Sequence, residues 1–141
     1  MKLEQCINYL LTGAQHKVFQ VMKKELDVYD VTPIQHGVLK CLWEKDLHNP
    51  KEIAEKLGIE NSTISGILER MEKKGLIVRS IDTNDRRYIR VDLTEEGRSL
   101  EKDIDQTVSE VNDKVLEGFS DKDIEMLKSL LNRLIDPECS R

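Results

Sequence analysis

Residues 49–97 decide the fold and read NPKEIAEKLGIENSTISGILERMEKKGLIVRSIDTNDRRYIRVDLTEEG. Asn49 and Pro50 suit the N-cap and the first position of a helix, and Gly58 suits its end. A second helix follows, for which Asn61 or Ser62 offers an N-cap. Its apolar residues recur at helical spacing before Gly75, and they are Ile64, Ile67, Leu68 and Met71. Two short helices joined by a turn that contains glycine, at about residues 50–74, predict a helix-turn-helix.

Two runs rich in β-branched residues follow this helix pair, at positions 76–81 and 88–93. The six residues between them are polar and turn-prone, so the two runs predict a β-hairpin. This hairpin is a wing over residues 76–93, with Arg86 and Arg87 near its tip. Thr94 suits the N-cap of another helix. The stretch therefore predicts a mostly α-helical chain with one small hairpin, an α+β fold.

The same residues resemble the winged helix-turn-helix of the MarR (multiple antibiotic resistance regulator) family. That family carries a wing signature, Asp-x-Arg followed by a hydrophobic alternation that ends in Leu-Thr-x-x-Gly. The matching residues here are Asp85-Arg86-Arg87, Val91, Leu93-Thr94 and Gly97. The resemblance covers essentially the whole chain and implies a single domain over residues 1–141. Within it, residues 31–97 form the winged helix-turn-helix, and residues 1–30 and 98–141 are dimerisation helices.

The ends of the chain carry long amphipathic patterns. Residues 2–28 predict one continuous helix, and the Thr32 to Gln35 segment begins the next helix as a capping box. After it, the connector at residues 46–48 could add a strand beside the wing. Residues 94–118 predict one helix, and the last helix begins at Ser120 and stops before Pro137. These apolar stripes exceed what a small winged domain can bury, so they predict a homodimer.

Charge is distributed unevenly along the chain. The net charge is −5, yet residues 49–91 hold nine Lys/Arg and seven Asp/Glu, while residues 95–141 hold seven basic and thirteen acidic groups. The positive balance falls where DNA would bind. No apolar run reaches the ~20 residues of a membrane span, and the N-terminus lacks a secretory leader pattern. Three cysteines without a CxxC pair fit reduced thiols in the cytoplasm.

The resemblance implies where duplex DNA would contact the chain. The second helix would enter the major groove, with Asn61, Ser62, Thr63, Ser65 and Gly66 nearest the bases and Arg70 and Lys73 nearer the phosphates. Asn61 has two interpretations, a contact to adenine or an N-cap. In the wing, Arg87 would reach the minor groove, Asp85 would brace it, and Arg86 would add charge. Lys51 and Arg90 are additional phosphate candidates.

The sequence shows no catalytic constellation and no dense set of metal ligands, which predicts neither an enzyme nor a cofactor. The family resemblance implies a small aromatic or lipophilic effector, for which Tyr9, His16, Phe19 and His36 are candidate pocket residues. A cysteine near the N-terminus senses peroxide in one branch of the family, which makes Cys6 a candidate redox residue. Its place beside Ile7 on the apolar stripe indicates a buried, inert thiol instead.

These observations predict a homodimeric transcriptional regulator, a ligand-responsive repressor that binds a pseudo-palindromic operator. Two alternatives remain open. One is a repressor of the same fold that senses oxidation through a cysteine. The other is a winged-helix module that contacts proteins and does not bind DNA.

Overall fold

The computed structural model describes the backbone of residues 1–44 and 47–140 and the side chains of residues 1–44 and 47–138. Seven helices and one hairpin follow one another in this part of the chain. They are α1 (Ile7–Leu26), α2 (Pro33–Glu44), α3 (Pro50–Leu57), α4 (Asn61–Lys73), β1 (Ile77–Ile81), β2 (Ile89–Leu93), α5 (Glu95–Ser99), α6 (Glu101–Val115) and α7 (Asp121–Ile135). The strands pair antiparallel, with Ile77 opposite Leu93 and Ile81 opposite Ile89. The predicted fold class is confirmed.

The hydrophobic core lies mainly in the winged half, where α2, α3, α4 and the hairpin meet. Its buried residues are Leu26, Val31, Val38, Leu39, Cys41, Leu42, Ile53, Ala54, Ile64, Ile67, Leu68, Met71, Leu76, Ile77, Val91 and Ile104. All four apolar residues predicted for the second helix are in this set. The buried set therefore holds α4 against α2 and α3 through one continuous apolar stripe.

Local capping confirms most of the predicted boundaries. The Asn49 side chain accepts hydrogen bonds from the backbone N–H groups of Lys51 (2.8 Å) and Glu52 (3.4 Å). Gly58 ends α3 with a φ of +68°, a conformation that glycine adopts without steric cost. The Thr32 box is reciprocal, since Thr32 N donates to Gln35 Oε1 (3.1 Å) and Gln35 N donates to Thr32 Oγ1 (3.2 Å).

The first helix is interrupted, so the prediction of one helix over residues 2–28 is wrong. Residues Leu3–Gln5 form a separate 3-10 turn, and Cys6 is extended (φ −76°, ψ 124°) before α1 begins. Gln5 Oε1 accepts from the backbone N–H of Lys2 (3.1 Å), so this hydrogen bond closes the turn within residues 2–5. A second 3-10 turn, Asp27–Tyr29, follows α1. Cys6 therefore lies at the N-cap of α1 and is half-buried, where the sequence predicted a buried residue inside a helix.

The helix predicted over residues 94–118 is also divided. The chain forms α5 and α6, with a break at Leu100. The Ser99 hydroxyl donates to the backbone carbonyl of Glu96 (2.8 Å), a bond that competes with the helical ladder. Ser120 caps α7 as predicted, because its hydroxyl accepts from Asp123 N (3.1 Å).

The additional strand beside the wing does not form within the described residues 47–49, and Asp46 lies outside the described residues. One backbone bond takes its place, from Val91 N to His48 O (2.8 Å).

The terminal helices differ from the winged half in burial. α1 packs against α6, yet Leu26 is its only buried residue, and α7 has no buried residue among the described side chains. A cavity of about 510 Å³ lies where α1, α6 and α7 approach one another. Across the described residues, no helix combines the length and the apolar character that a membrane span requires.

Candidate nucleic-acid interface

The recognition-helix candidates share one exposed face of α4. Asn61, Ser62, Thr63 and Ser65 are exposed, whereas Ile64 between them is buried. Glu60 is the N-cap, with an extended backbone whose carbonyl accepts from Thr63 N (3.0 Å) and Ile64 N (3.2 Å). The prediction that Asn61 or Ser62 caps this helix is therefore wrong. Asn61 is the first helical residue, so its side chain is directed outward and does not cap the helix.

Gly66 and Arg70 lie together on α4, one turn apart. A Cβ atom added at Gly66 would lie 3.3 Å from Arg70 Nη1, so the guanidinium occupies the space that the missing side chain leaves. Lys73 forms an exposed ion pair with Glu69 (3.5 Å). Such an exposed pair contributes little free energy, so Lys73 can exchange it for a phosphate at small cost.

Arg79 joins the wing to the recognition helix, a role that the sequence analysis missed. Glu72 on α4 accepts from the backbone N–H of Arg79 (3.0 Å) and from its Nη2 atom (3.0 Å). These bonds, the backbone one first, lower the pKa of Glu72. Arg79 is therefore paired with Glu72 and is not a free cation.

The Leu-Thr-x-x-Gly signature closes the base of the wing. The Thr94 hydroxyl donates to the backbone carbonyl of Gly75 (2.7 Å) and accepts from Gly97 N (3.0 Å), which caps α5. A Cβ atom at Gly97 would overlap the backbone oxygen of Leu76, so only glycine fits at this position. Trp43 Nε1 donates to the Gly97 carbonyl (3.1 Å). The signature thus fixes the end of α4, the hairpin and α5 relative to one another.

At the wing tip, Asp85 holds Arg87 in a two-point contact. Arg87 Nη2 donates to Asp85 Oδ2 (2.8 Å), and Arg87 Nε donates to Asp85 Oδ1 (3.0 Å). These bonds lower the pKa of Asp85 and raise that of Arg87. The Arg87 side chain is nevertheless 81% exposed, and its guanidinium carbon lies 5.7 Å from the Tyr88 ring centroid. The expected bracing geometry is confirmed, and Arg86 is exposed beside it.

The two additional phosphate candidates differ. Lys51 is exposed in the first turn of α3, next to the Asn49 cap. Arg90 Nε donates to both carboxylate oxygens of Asp92 (3.1 and 3.2 Å), and Asp92 also lies 3.2 Å from His48 Nδ1. Arg90 is thus paired with Asp92 on the same strand, opposite Ser80 of β1, so it is not a free cation.

The candidate effector residues are spread over two helices. Tyr9, His16 and Phe19 are exposed on α1. His36 is half-buried on α2 with its ring edge toward Trp43 (centroids 6.5 Å apart), and its Nε2 atom is buried without a hydrogen-bond partner among the described residues. Burial, followed by the charge of Lys40, lowers the pKa of His36. The cavity between α1, α6 and α7 is lined by other residues, which include Val18, Val21, Phe119 and Leu127.

Comparison with known proteins shows the family. The model of the MarR family matches residues 31–89. The organic hydroperoxide resistance transcriptional regulator of Bacillus subtilis (strain 168) is 32% identical over 139 residues, which cover 96% of this chain and 91% of that protein. A structure of the transcriptional repressor CouR bound to a 23-mer DNA duplex superposes with a TM-score of 0.85 at 29% identity and covers 94% of each chain.

A second CouR structure, that of CouR from Rhodococcus jostii RHA1 bound to p-coumaroyl-CoA, superposes with a TM-score of 0.83 at 25% identity. The superposition covers 97% of this chain and 96% of that one. The wing signature, the helix pair and these similarities agree along the chain. This chain belongs to the MarR family of winged helix-turn-helix transcriptional regulators.

Proposed function

We propose that the chain is a homodimeric repressor of transcription that binds a pseudo-palindromic operator in duplex DNA and is released by a small molecule. The observation that carries this proposal is the pairing of an exposed polar face on α4 with an exposed, braced arginine at the wing tip. Its relatives are regulators, and the CouR repressor with which it superposes is bound to DNA. We infer no enzymatic role.

The two parts suit the two grooves of DNA. A helix fits the major groove, where short polar side chains such as those of Asn61, Ser62, Thr63 and Ser65 can bond to base edges or phosphates. A narrow minor groove attracts an arginine through its strong negative potential. Asp85 fixes the direction of the Arg87 guanidinium before DNA arrives, which lowers the entropy lost on binding. Arg70 and Lys73 would contact phosphates.

Dimer formation is supported by the apolar side chains that α1 and α7 leave exposed. These are Ile7, Leu10, Leu11, Val18 and Phe19 on α1, and Met126, Leu127, Leu130, Leu134 and Ile135 on α7. Exposed apolar side chains in this number along two helices are typical of protein–protein interfaces. A two-fold dimer presents two copies of α4, so the operator would carry two related half-sites. Binding to chromosomal DNA would place the protein in the cytoplasm.

The releasing compound would be small and aromatic or lipophilic. CouR from R. jostii is bound to p-coumaroyl-CoA, and in this chain the α1–α6–α7 cavity offers an apolar lining of Val18, Val21 and Phe119. Tyr9, His16, Phe19 and His36 remain the proposed contacts from the sequence. A second mode of release is oxidation of Cys6. It is supported by the relative that is named for organic hydroperoxide resistance and by the half-buried position of Cys6.

The test is selection of duplex DNA from a random pool by the purified protein, followed by titration of Arg87→Ala and Arg86→Ala on the selected site. We expect an enriched inverted repeat. Arg87→Ala should weaken binding about 5- to 150-fold, since a well-placed arginine contact to a base contributes ~1–3 kcal/mol. Arg86→Ala is the matched control, since it removes the same charge without the Asp85 brace, and it should weaken binding less.

Two results would contradict the proposal. Failure to enrich any sequence, with no salt dependence of binding, would favour the protein-interaction module. Equal losses for Arg86→Ala and Arg87→Ala would remove the braced contact from the mechanism and leave only a general charge effect.

A further inference from the structure

Lys74, at the C-cap of α4, makes a contact that the DNA-binding role does not explain. Its Nζ atom donates to the backbone carbonyl of Asp30 (2.7 Å) and to Gln35 Oε1 (2.8 Å). These acceptors are 44 and 39 residues away in the sequence. The Lys74 side chain is only 26% exposed, so it points into the protein and away from a phosphate.

Asp30 and Gln35 contribute unequally to the free energy of the Lys74 contact. The Asp30 carboxylate lies 3.6 Å from Nζ but is 86% exposed, so water screens this ion pair. Gln35 is 3% exposed, and its Oε1 atom also accepts from Thr32 N (3.1 Å) in the capping box of α2. A hydrogen bond from a charged donor to a buried acceptor contributes more free energy than a solvent-exposed ion pair does. The buried Gln35 and the Asp30 carbonyl are therefore the contacts that matter.

Asp30 occupies a particular place in the chain. It ends the 3-10 turn after α1 and has a φ of +54°, a left-handed conformation that no other non-glycine residue adopts in the described part of the chain. Val31 and Thr32 then lead into α2. Lys74 thus links the end of the recognition helix to the turn that joins the winged half to α1.

We propose that Lys74 is a positioning residue, which holds the recognition helix at a fixed angle to the dimerisation helix α1 and so sets the spacing of the two DNA half-sites. This inference rests on the proposed function. The apolar stripe of α4 packs into a core that also includes Leu26 of α1 and Ile104 of α6, and Lys74 adds a polar contact from the end of α4 to the turn that follows α1. This polar contact lies at the junction itself, at the end of α4 that is remote from Asn61.

Because α4 is long, a small rotation at its Lys74 end produces a large displacement at its Asn61 end. α4 has 13 residues, so Asn61 lies about 20 Å from the Lys74 end at ~1.5 Å per residue. A rotation of the winged half by about 10° around the Asp30 turn would move Asn61 by about 3.5 Å on this arm of about 20 Å. This displacement is close to the ~3.4 Å between successive base pairs. A dimer without the Lys74 contact should therefore tolerate half-sites that are one base pair closer or farther apart.

The experiment titrates wild type and Lys74→Met against the operator selected by the wild type and against versions with one or two base pairs added to or removed from its centre. We expect Lys74→Met to lose about 3- to 30-fold affinity for the selected operator, the range typical of residues that couple distant sites. Its affinity should also vary less with the spacer length than that of wild type. The base preference within each half-site and the salt slope should stay unchanged.

Lys73→Met is the matched control, because it removes the same charge from the neighbouring, exposed lysine of the same helix. It should weaken binding to every spacer equally and reduce the salt slope by ~1, as expected for a phosphate contact. Asp30→Asn is a second control, which keeps the backbone carbonyl and should preserve the spacer profile of wild type. Gln35→Met is titrated alone and in combination with Lys74→Met. The two losses of operator affinity should not add, because both residues take part in the same hydrogen bond.

Distinct outcomes overturn distinct claims. If wild type selects no DNA, the proposed function fails. If wild type binds and Lys74→Met keeps the spacer profile, Lys74 does not position the helix, and a salt slope reduced by ~1 would make it a phosphate contact. Lys74→Ala, which also removes the donor, replaces Lys74→Met if thermal unfolding shows that the latter does not fold. An unchanged spacer profile in that variant also overturns the inference.

Discussion

The recognition helix α4 and the last helix α7 have similar lengths, 13 and 15 residues, and both carry an apolar stripe at helical spacing. Their burial is opposite. α4 buries Ile64, Ile67, Leu68 and Met71 within its own chain, whereas α7 buries none of its described residues. The apolar pattern of a helix therefore shows that one face must be buried. It does not show whether the same chain or a second chain buries that face. For α4 the cover is the winged core, and for α7 we propose a second copy.

The largest expected effect on DNA affinity comes from substitutions in α7, whose apolar residues are exposed. Leu130→Asp combined with Leu134→Asp should produce a monomer, because two charges would enter the proposed interface at residues that are 48% and 55% exposed. Affinity for the two-site operator should fall by about 10²- to 10⁴-fold, since the second half-site no longer binds at high effective concentration. Sedimentation and DNA titration would measure both effects.

Ser129→Asp is the control for this pair, because Ser129 lies on the opposite side of α7 and is exposed. It should remain a dimer. A dimeric Leu130→Asp, Leu134→Asp variant would show that α7 is not covered by a second copy and would remove the contrast between the two helices.

A substitution in the buried stripe of α4 should instead lower the free energy of unfolding. Leu68 is 1% exposed, so Leu68→Ala should lower the free energy of unfolding by about 2–5 kcal/mol, through lost burial and the cavity that it leaves. Leu127→Ala, at a 37% exposed position of α7, should mainly raise the dimer dissociation constant. Denaturant unfolding at fixed protein concentration, together with sedimentation, separates these effects. Equal unfolding losses for the two variants would contradict the distinction.

The smallest effect is expected at the junction between the two regions. His36 on α2 lies near Lys40 and Asp105, where Lys40 Nζ donates to Asp105 Oδ1 of α6 (2.9 Å). Burial lowers the pKa of His36 from its ordinary 6.5. The unfolded chain therefore takes up a proton at higher pH than the folded chain. Stability should fall as the pH drops through and below 6.5.

In the His36→Gln variant this part of the pH dependence of stability should be absent, because the glutamine side chain does not titrate. Urea unfolding of both proteins at pH 7.5 and pH 5 is the measurement. The same decrease in both would mean that the acid sensitivity arises elsewhere, in groups other than His36.

The elements of the fold could be predicted wherever they depend on neighbours in sequence. The capping by Asn49, the reciprocal pair of Thr32 and Gln35, and the buried stripe of α4 all involve residues at most four positions apart, which a linear pattern records. The Asp85–Arg87 brace is equally local, because its partners are two positions apart. The breaks at Cys6 and Leu100 escaped prediction because periodicity continues through both.

The sequence by itself thus determined the helix-turn-helix, the hairpin, the family signature and the apolar faces, because local sterics, capping and periodicity act over a few residues. Only the tertiary structure decided the partners of charged residues that pair with another element. Arg79 counts as a free cation in the sequence, and the fold pairs it with Glu72 of α4. Lys74 resembles Lys73 in the sequence, yet it bonds to Asp30 and Gln35. A long charged side chain reaches whichever acceptor the folded backbone brings near, and no linear spacing encodes that acceptor.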